Sequence, residues 1–99
     1  MIHRLLVLAT LACAAPAVFA QDNNARNLAA GCAICHGTTG HAVTKDVTTL
    51  AGIPQDHLAK QLRDFRDGKR PATVMHQLAK GYTDAQIDAM AAWFASQKR

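Results

Sequence analysis

The 99-residue chain predicts a small all-α domain of three to four helices, and three observations carry that expectation. Strand signals are almost absent. The one β-branched cluster, Val43-Thr44 and Val47-Thr48-Thr49, is broken by Lys45-Asp46 and reads as loop. Helix boundaries, by contrast, are marked by proline, glycine and a capping pair. The apolar content is rich in alanine, with three Phe, one Trp and one Tyr, which leaves little bulk for a core. No internal repeat is present, and the pattern is that of one domain.

Taken in order, a first helix is expected from about Asn23 to Cys35, with Leu28 and Cys32 on one face. Residues 37–52 form a long connection, unusual in a compact domain unless it wraps something. Pro54 suits a first helical position. Leu58, Leu62 and Phe65 then follow at i, i+4 and i+7, with Lys60, Arg63, Asp64 and Asp67 toward water and Gly68 as the stop. A short helix is expected over Ala72 to Lys80, ending at Gly81. The last helix opens on Thr83 with Gln86 three residues later, a capping box, and Ile87, Met90, Ala91 and Phe94 make its apolar stripe.

The first twenty residues read as a bacterial-type signal peptide rather than as fold. His3 and Arg4 give a basic start, Leu5 to Ala12 a short apolar run, and Val18-Phe19-Ala20 a small-residue cleavage site. The run is too short to cross a bilayer, and no later stretch is apolar enough to do so. Residues 21–99 are then the mature domain, exported to the periplasm. Cys13 falls inside the leader, where Thr10-Leu11-Ala12 lacks the leucine of a lipid-attachment site.

Removing residues 1–20 takes one of the eleven Lys and Arg and none of the seven acids, so the formal charge falls from +4 to +3. That excess is too thin for nucleic acid, which calls for a dense basic stripe interleaved with stacking aromatics. Two cysteines remain after processing. In an exported protein they would ordinarily pair, yet a bridge closing so small a loop constrains little chain and adds little stability.

The cysteines belong to Cys32-Ala33-Ile34-Cys35-His36, a CxxCH. Downstream of an export signal this is the attachment motif for c-type haem. Cysteines three apart on one helical turn reach two neighbouring vinyl groups, and the histidine that follows turns under the ring toward iron. A flat apolar cofactor would also supply the missing core volume, since a chain of this size sits near the limit for one unaided core. The apo chain is expected to fold poorly. A thioredoxin-like dithiol would need strands alternating with helices around the motif. A zinc site would need four ligands, and Cys35 beside His36 is an awkward pair for one tetrahedron.

From CAICHGTTG through TLAG and HLAKQLRDFRDGKRPATVM to LAKGYTDAQIDAMAAWFASQ, the residues resemble the small monohaem class I cytochromes c. The resemblance covers nearly all of residues 21–99. It is strongest to the cytochrome subunit of flavocytochrome c, the sulfide dehydrogenase, where GxRPxTVM followed by AKGY is typical. It implies crossed first and last helices, a loop that cradles one covalent haem c, and Met75 as sixth ligand opposite His36. Two positions depart from the pattern. Thr48 stands where a proline usually offers its carbonyl to the outer nitrogen of the haem histidine, which leaves that bond unsettled. His57 stands where an aromatic residue usually precedes the leucine of the second helix, and is expected near the surface.

Other donors for the distal side are His76 and His41, ranked after Met75 in that order. Met90 lies on the stripe of a capped helix, where methionine is a core residue. Thioether with histidine is the ligation that raises the potential of electron carriers. With both axial sites filled, the expected activity is outer-sphere one-electron transfer, with no catalytic side chain. The resemblance implies a redox partner, an FAD-containing sulfide dehydrogenase subunit. The alternatives are a free periplasmic carrier feeding a terminal oxidase or other redox enzyme, and a haem-based sensor with a displaceable sixth ligand. Leu50, Leu62, Phe65, Tyr82, Trp93 and Phe94 are expected to line the haem or join the helices, with Trp93 or Phe94 against Ala29, Ala30 and Gly31. Lys45, Lys60, Lys69, Arg70 and Lys80 could form a basic rim that steers an acidic partner.

Overall fold

The computed structural model describes the backbone of residues 17–99 and the side chains of residues 23–99. The described residues form five helices and no strand: α1 (Ala17–Ala30), α2 (Ala33–His36), α3 (Gln55–Arg66), α4 (Met75–Ala79) and α5 (Asp84–Ala95). α1 and α3 both pack on α5, and α4 packs on α3. The all-α expectation holds, with one more helix than three to four because the first expected helix is two.

The break falls at Gly31-Cys32, where Gly31 N–H reaches the Leu28 carbonyl and Cys32 N–H the Ala29 carbonyl, i→i+3 bonds that tighten and end α1. A side chain at Gly31 would press on the Tyr82 hydroxyl, 3.2 Å from an ideal Cβ. Tyr82, rather than Trp93 or Phe94, therefore faces Gly31. Ala29 is the small residue that joins Phe94 in the core. At its other end α1 runs through the expected processing point after Ala20. Most of the expected leader, Cys13 included, lies outside the described residues.

α3 forms as its pattern dictates. Pro54 takes the position just before the helix, one residue earlier than expected, and Gly68 turns the chain away with φ 74°. Leu58 is buried and Leu62 packs against the core. α4 starts at Met75 rather than near Ala72; upstream of it the Asp64 carbonyl accepts from both Lys69 N–H and Arg70 N–H, which turns the chain after α3. Both bonds of the α5 capping box are present: Gln86 N–H donates to Thr83 Oγ1 at 3.2 Å, and Thr83 N–H to Gln86 Oε1 at 3.0 Å. Ile87, Met90, Ala91 and Phe94 are all buried, so Met90 is a core residue.

Among the described residues, five of the nine core residues are alanines: Ala29, Ala51, Ala59, Ala79 and Ala91. Only Leu58, Ile87, Met90 and Phe94 add bulk. At roughly 2–3 kcal/mol for a large buried side chain, such a core leaves little margin against chain entropy.

A network of ions ties α3 to the start of α5. Arg63 reaches Asp84 at 3.1 Å and Asp88 at 2.6 Å, while Arg66 reaches Asp84 at 2.7 Å. The Arg66 and Arg63 guanidiniums hold the Asp84 carboxyl below the usual carboxylate range.

Candidate haem site

Cys32, Cys35 and His36 come together because α2 is a single turn. His36 N–H donates to the Cys32 carbonyl at 2.9 Å, which fixes the motif as one compact unit. Both thiols are free, Cys32 half-buried and Cys35 exposed. Burial pushes the Cys32 thiol up, so it stays protonated until modified. Cys32 packs against the apolar core, as do partly buried Leu50, Ile53, Leu62, Tyr82 and Trp93.

The His36 ring is held from outside the motif. Its Nδ1–H donates to the Thr48 carbonyl at 2.7 Å. The departure from proline therefore costs nothing in this contact, since the acceptor is backbone. The bond places the proton on Nδ1 and leaves Nε2 free as a metal donor.

That carbonyl is positioned by the 37–54 loop, which is held by backbone contacts. Leu50 N–H and Ala51 N–H both donate to the Gly40 carbonyl, at 2.7 and 3.2 Å, and Gly52 N–H donates to the Phe94 carbonyl at 3.0 Å. Two glycines make the path possible. Gly37 (φ 86°) has no room for a Cβ beside the His41 carbonyl. At Gly40 (φ 87°) a Cβ would come within 2.8 Å of the Phe94 ring and 2.9 Å of Ala51 N. Sequence reasoning missed both as site residues. The signal was the Gly-x-x-Gly spacing directly after the CxxCH.

Among the distal candidates, Met75 opens α4 and is half-buried. His76 follows it, with its Nδ1 buried and unpartnered. His41 is exposed and bonds Thr39 Oγ1 at 2.9 Å, so its ring is turned to its own loop. His57 is exposed as expected, beside Gln61. Phe65 is half-buried, with the Arg70 guanidinium 4.9 Å from its ring centroid. Trp93 meets Phe94 edge to face at 5.0 Å.

The residues fit a covalently held haem: two free thiols one turn apart, a histidine with Nε2 available, a thioether on a separate segment and an apolar wall behind Cys32. They do not fit zinc. No group of three or more His, Cys, Asp or Glu among the described residues is placed to hold a metal ion. A groove of about 660 Å3 between α3 and α5 is lined by Asp56, Lys60, Arg63, Asp64, Lys69 and Asp88 among others, and holds none of the site residues. Its Lys60 pairs with Asp64 and its Arg63 with Asp88. Lys60 and Lys69 both line this groove.

The Cytochrome c family model matches residues 22–98. The chain is 40% identical to the thiosulfate dehydrogenase electron acceptor of Thiomonas intermedia, over 97% of this chain and 45% of that protein. It is 36% identical to the cytochrome subunit of sulfide dehydrogenase of Chlorobaculum tepidum, over 70% of this chain and 62% of that one. The solved cytochrome c4 of Acidithiobacillus ferrooxidans superposes with a TM-score of 0.72 at 29% identity, over 78% of this chain and 50% of that structure. The chain thus spans about half the length of the first and last of these.

Proposed function

The chain belongs to the cytochrome c family, electron-transfer proteins with covalently bound haem c, and from that premise we propose that Cys32 and Cys35 form the thioethers and that His36 and Met75 are the axial iron ligands. The observation that carries this reading is the 2.7 Å bond from His36 Nδ1–H to the Thr48 carbonyl. It fixes the tautomer, orients the ring and raises the basicity of Nε2. When bound, the haem supplies a one-electron ferric–ferrous couple. The remaining work is done by the chain. The Thr48 carbonyl holds the His36 proton, Met75 would supply the second iron ligand, a thioether that would raise the potential, and Leu50, Ile53 and Leu62 pack against the apolar core, as Cys32 does.

The electron donor is a dehydrogenase acting on a reduced sulfur compound, an FAD-containing sulfide dehydrogenase subunit. The GKRPATVM stretch and the names of two relatives support this assignment. Residues 1–20 direct export to the periplasm and are removed after Ala20. No helix among the described residues is long and apolar enough to cross a membrane.

The ferric near-infrared spectrum tests the ligand set. The weak sulfur-to-iron band is expected in the wild type and lost in Met75→Ala; identical spectra would remove Met75 from the site. Co-purification tests the donor. An FAD-binding partner and sulfide-dependent haem reduction are expected, and a free monomer that sulfide never reduces in the presence of cell extract would count against it.

A further inference from the structure

His36, His41 and His57 each have a ring partner: the Thr48 carbonyl, Thr39 Oγ1 and the Gln61 side chain. His76 is the exception among the described residues. Its Nδ1 is buried without a hydrogen-bond partner, and no other buried side-chain nitrogen or oxygen shares that condition. Buried polar atoms are normally paired, so an orphan marks a group whose partner is missing.

The placement of the ring narrows what that partner is. α4 buries Ala79 and half-buries Met75 and His76, while Gln77, Leu78 and Lys80 are exposed. On a helical wheel Met75 and His76 stand roughly 40° and 60° to either side of Ala79. The thioether and the imidazole therefore straddle the inward direction of one short helix. A turn of its first residues by about one position, roughly 100°, exchanges the two. Little opposes that turn. Val74 provides no side-chain cap, and the backbone N–H groups of Ala72, Thr73 and Val74 donate to no other backbone group among the described residues.

We propose that His76 is a reserve iron ligand, an imidazole that takes the sixth position when the Met75 thioether leaves it. The proposal rests on the haem ligation by His36 and Met75 set out above and adds a second donor on the same side. Imidazole suits iron, and replacing methionine by histidine removes the ligand that raises the potential. His76 thus keeps the distal position closed to small ligands after the sulfur has gone, and lowers the potential as it does so.

Ferric spectra and azide titration of haem-loaded Met75→Ala test it. That variant is expected to be low-spin without the sulfur-to-iron band, at a potential below that of the wild type, and Met75→Ala/His76→Ala to be high-spin. Azide should bind Met75→Ala about tenfold more weakly than the double variant, since an internal ligand on about nine molecules in ten leaves about one in ten open. Met75→Ala/His41→Ala, which changes a histidine already held by Thr39, should stay low-spin. Where Met75→Ala yields no haem-loaded protein, Met75→Leu, close to methionine in volume, carries the same comparisons. A high-spin Met75→Ala, equal azide affinity with and without His76, low-spin iron in Met75→Ala/His76→Ala, or a spin change caused by His41→Ala would each overturn the reserve ligand and leave Met75 in place. A sulfur band missing from the wild type as well would overturn the Met75 assignment, and this inference with it.

Discussion

The α3–α5 pair and the 37–54 loop are stabilised by different kinds of interaction. The helix pair supplies its own order: an apolar stripe buried at Leu58, Ile87, Met90 and Phe94, a complete capping box, and arginines bridging the two helices. The loop has almost no core of its own beyond Gly40 and Ala51. It is fixed by a few backbone bonds and by glycines that accept close approach. The part that must meet the cofactor is thus specified by backbone geometry and completed by what it binds. The helix pair is specified by side chains and serves as the frame.

The strongest way to break this contrast is to remove the cofactor. The Cys32→Ala/Cys35→Ala variant is expected to lose all haem that survives acid–acetone extraction. Hydrogen exchange should then collapse first across residues 37–54 and α4, with residual protection in α3 and α5. Uniform loss of protection would show that the frame has no order of its own.

Next in size is Gly40→Ala. A positive φ costs an L-residue about 1–2 kcal/mol, and the clash with the Phe94 ring and Ala51 N adds an overpacking cost of about 1–3 kcal/mol. A loss of about 2–5 kcal/mol in the denaturant midpoint analysis of the haem-loaded protein is expected. Gly68→Ala, with positive φ but nothing within 4 Å, should show only the smaller backbone cost.

On the helix side, Thr83→Ala removes the cap of α5 and should cost about 1 kcal/mol, read as a shift in midpoint with an unchanged haem spectrum. Smallest is the acid response of the ion network. Asp84 is held low by Arg66 and then Arg63, so its contribution is present above the carboxylate's ordinary range and fades as pH falls through the lowered value. Asp84→Asn should therefore lower stability slightly at pH 7, and its difference from the wild type should shrink as pH falls below about 4.

These regions also differed in how far the sequence revealed them. α3 and α5 were readable because their periodic stripe, Pro54, Gly68 and the Thr83–Gln86 box are local signals. The CxxCH was readable because its chemistry is contained in five residues. The break at Gly31 was not, since the Tyr82 hydroxyl that crowds that position is distant in sequence. Gly37 and Gly40 were visible as residues but not as requirements, because the atoms that exclude a side chain come from His41, Ala51 and Phe94. The Thr48 contact was visible in the sequence as an open question, because its acceptor is a carbonyl, which every residue has, and only the path of the loop decides whether it reaches His36.

One measurement tests the central claim most directly: intact mass together with the visible spectrum of the protein secreted by a host with a working cytochrome c maturation system. The account predicts a mass equal to residues 21–99 plus one haem, with a Soret band that stays with the polypeptide after denaturation. A mass equal to the amino acids alone, with no Soret absorbance, would contradict it.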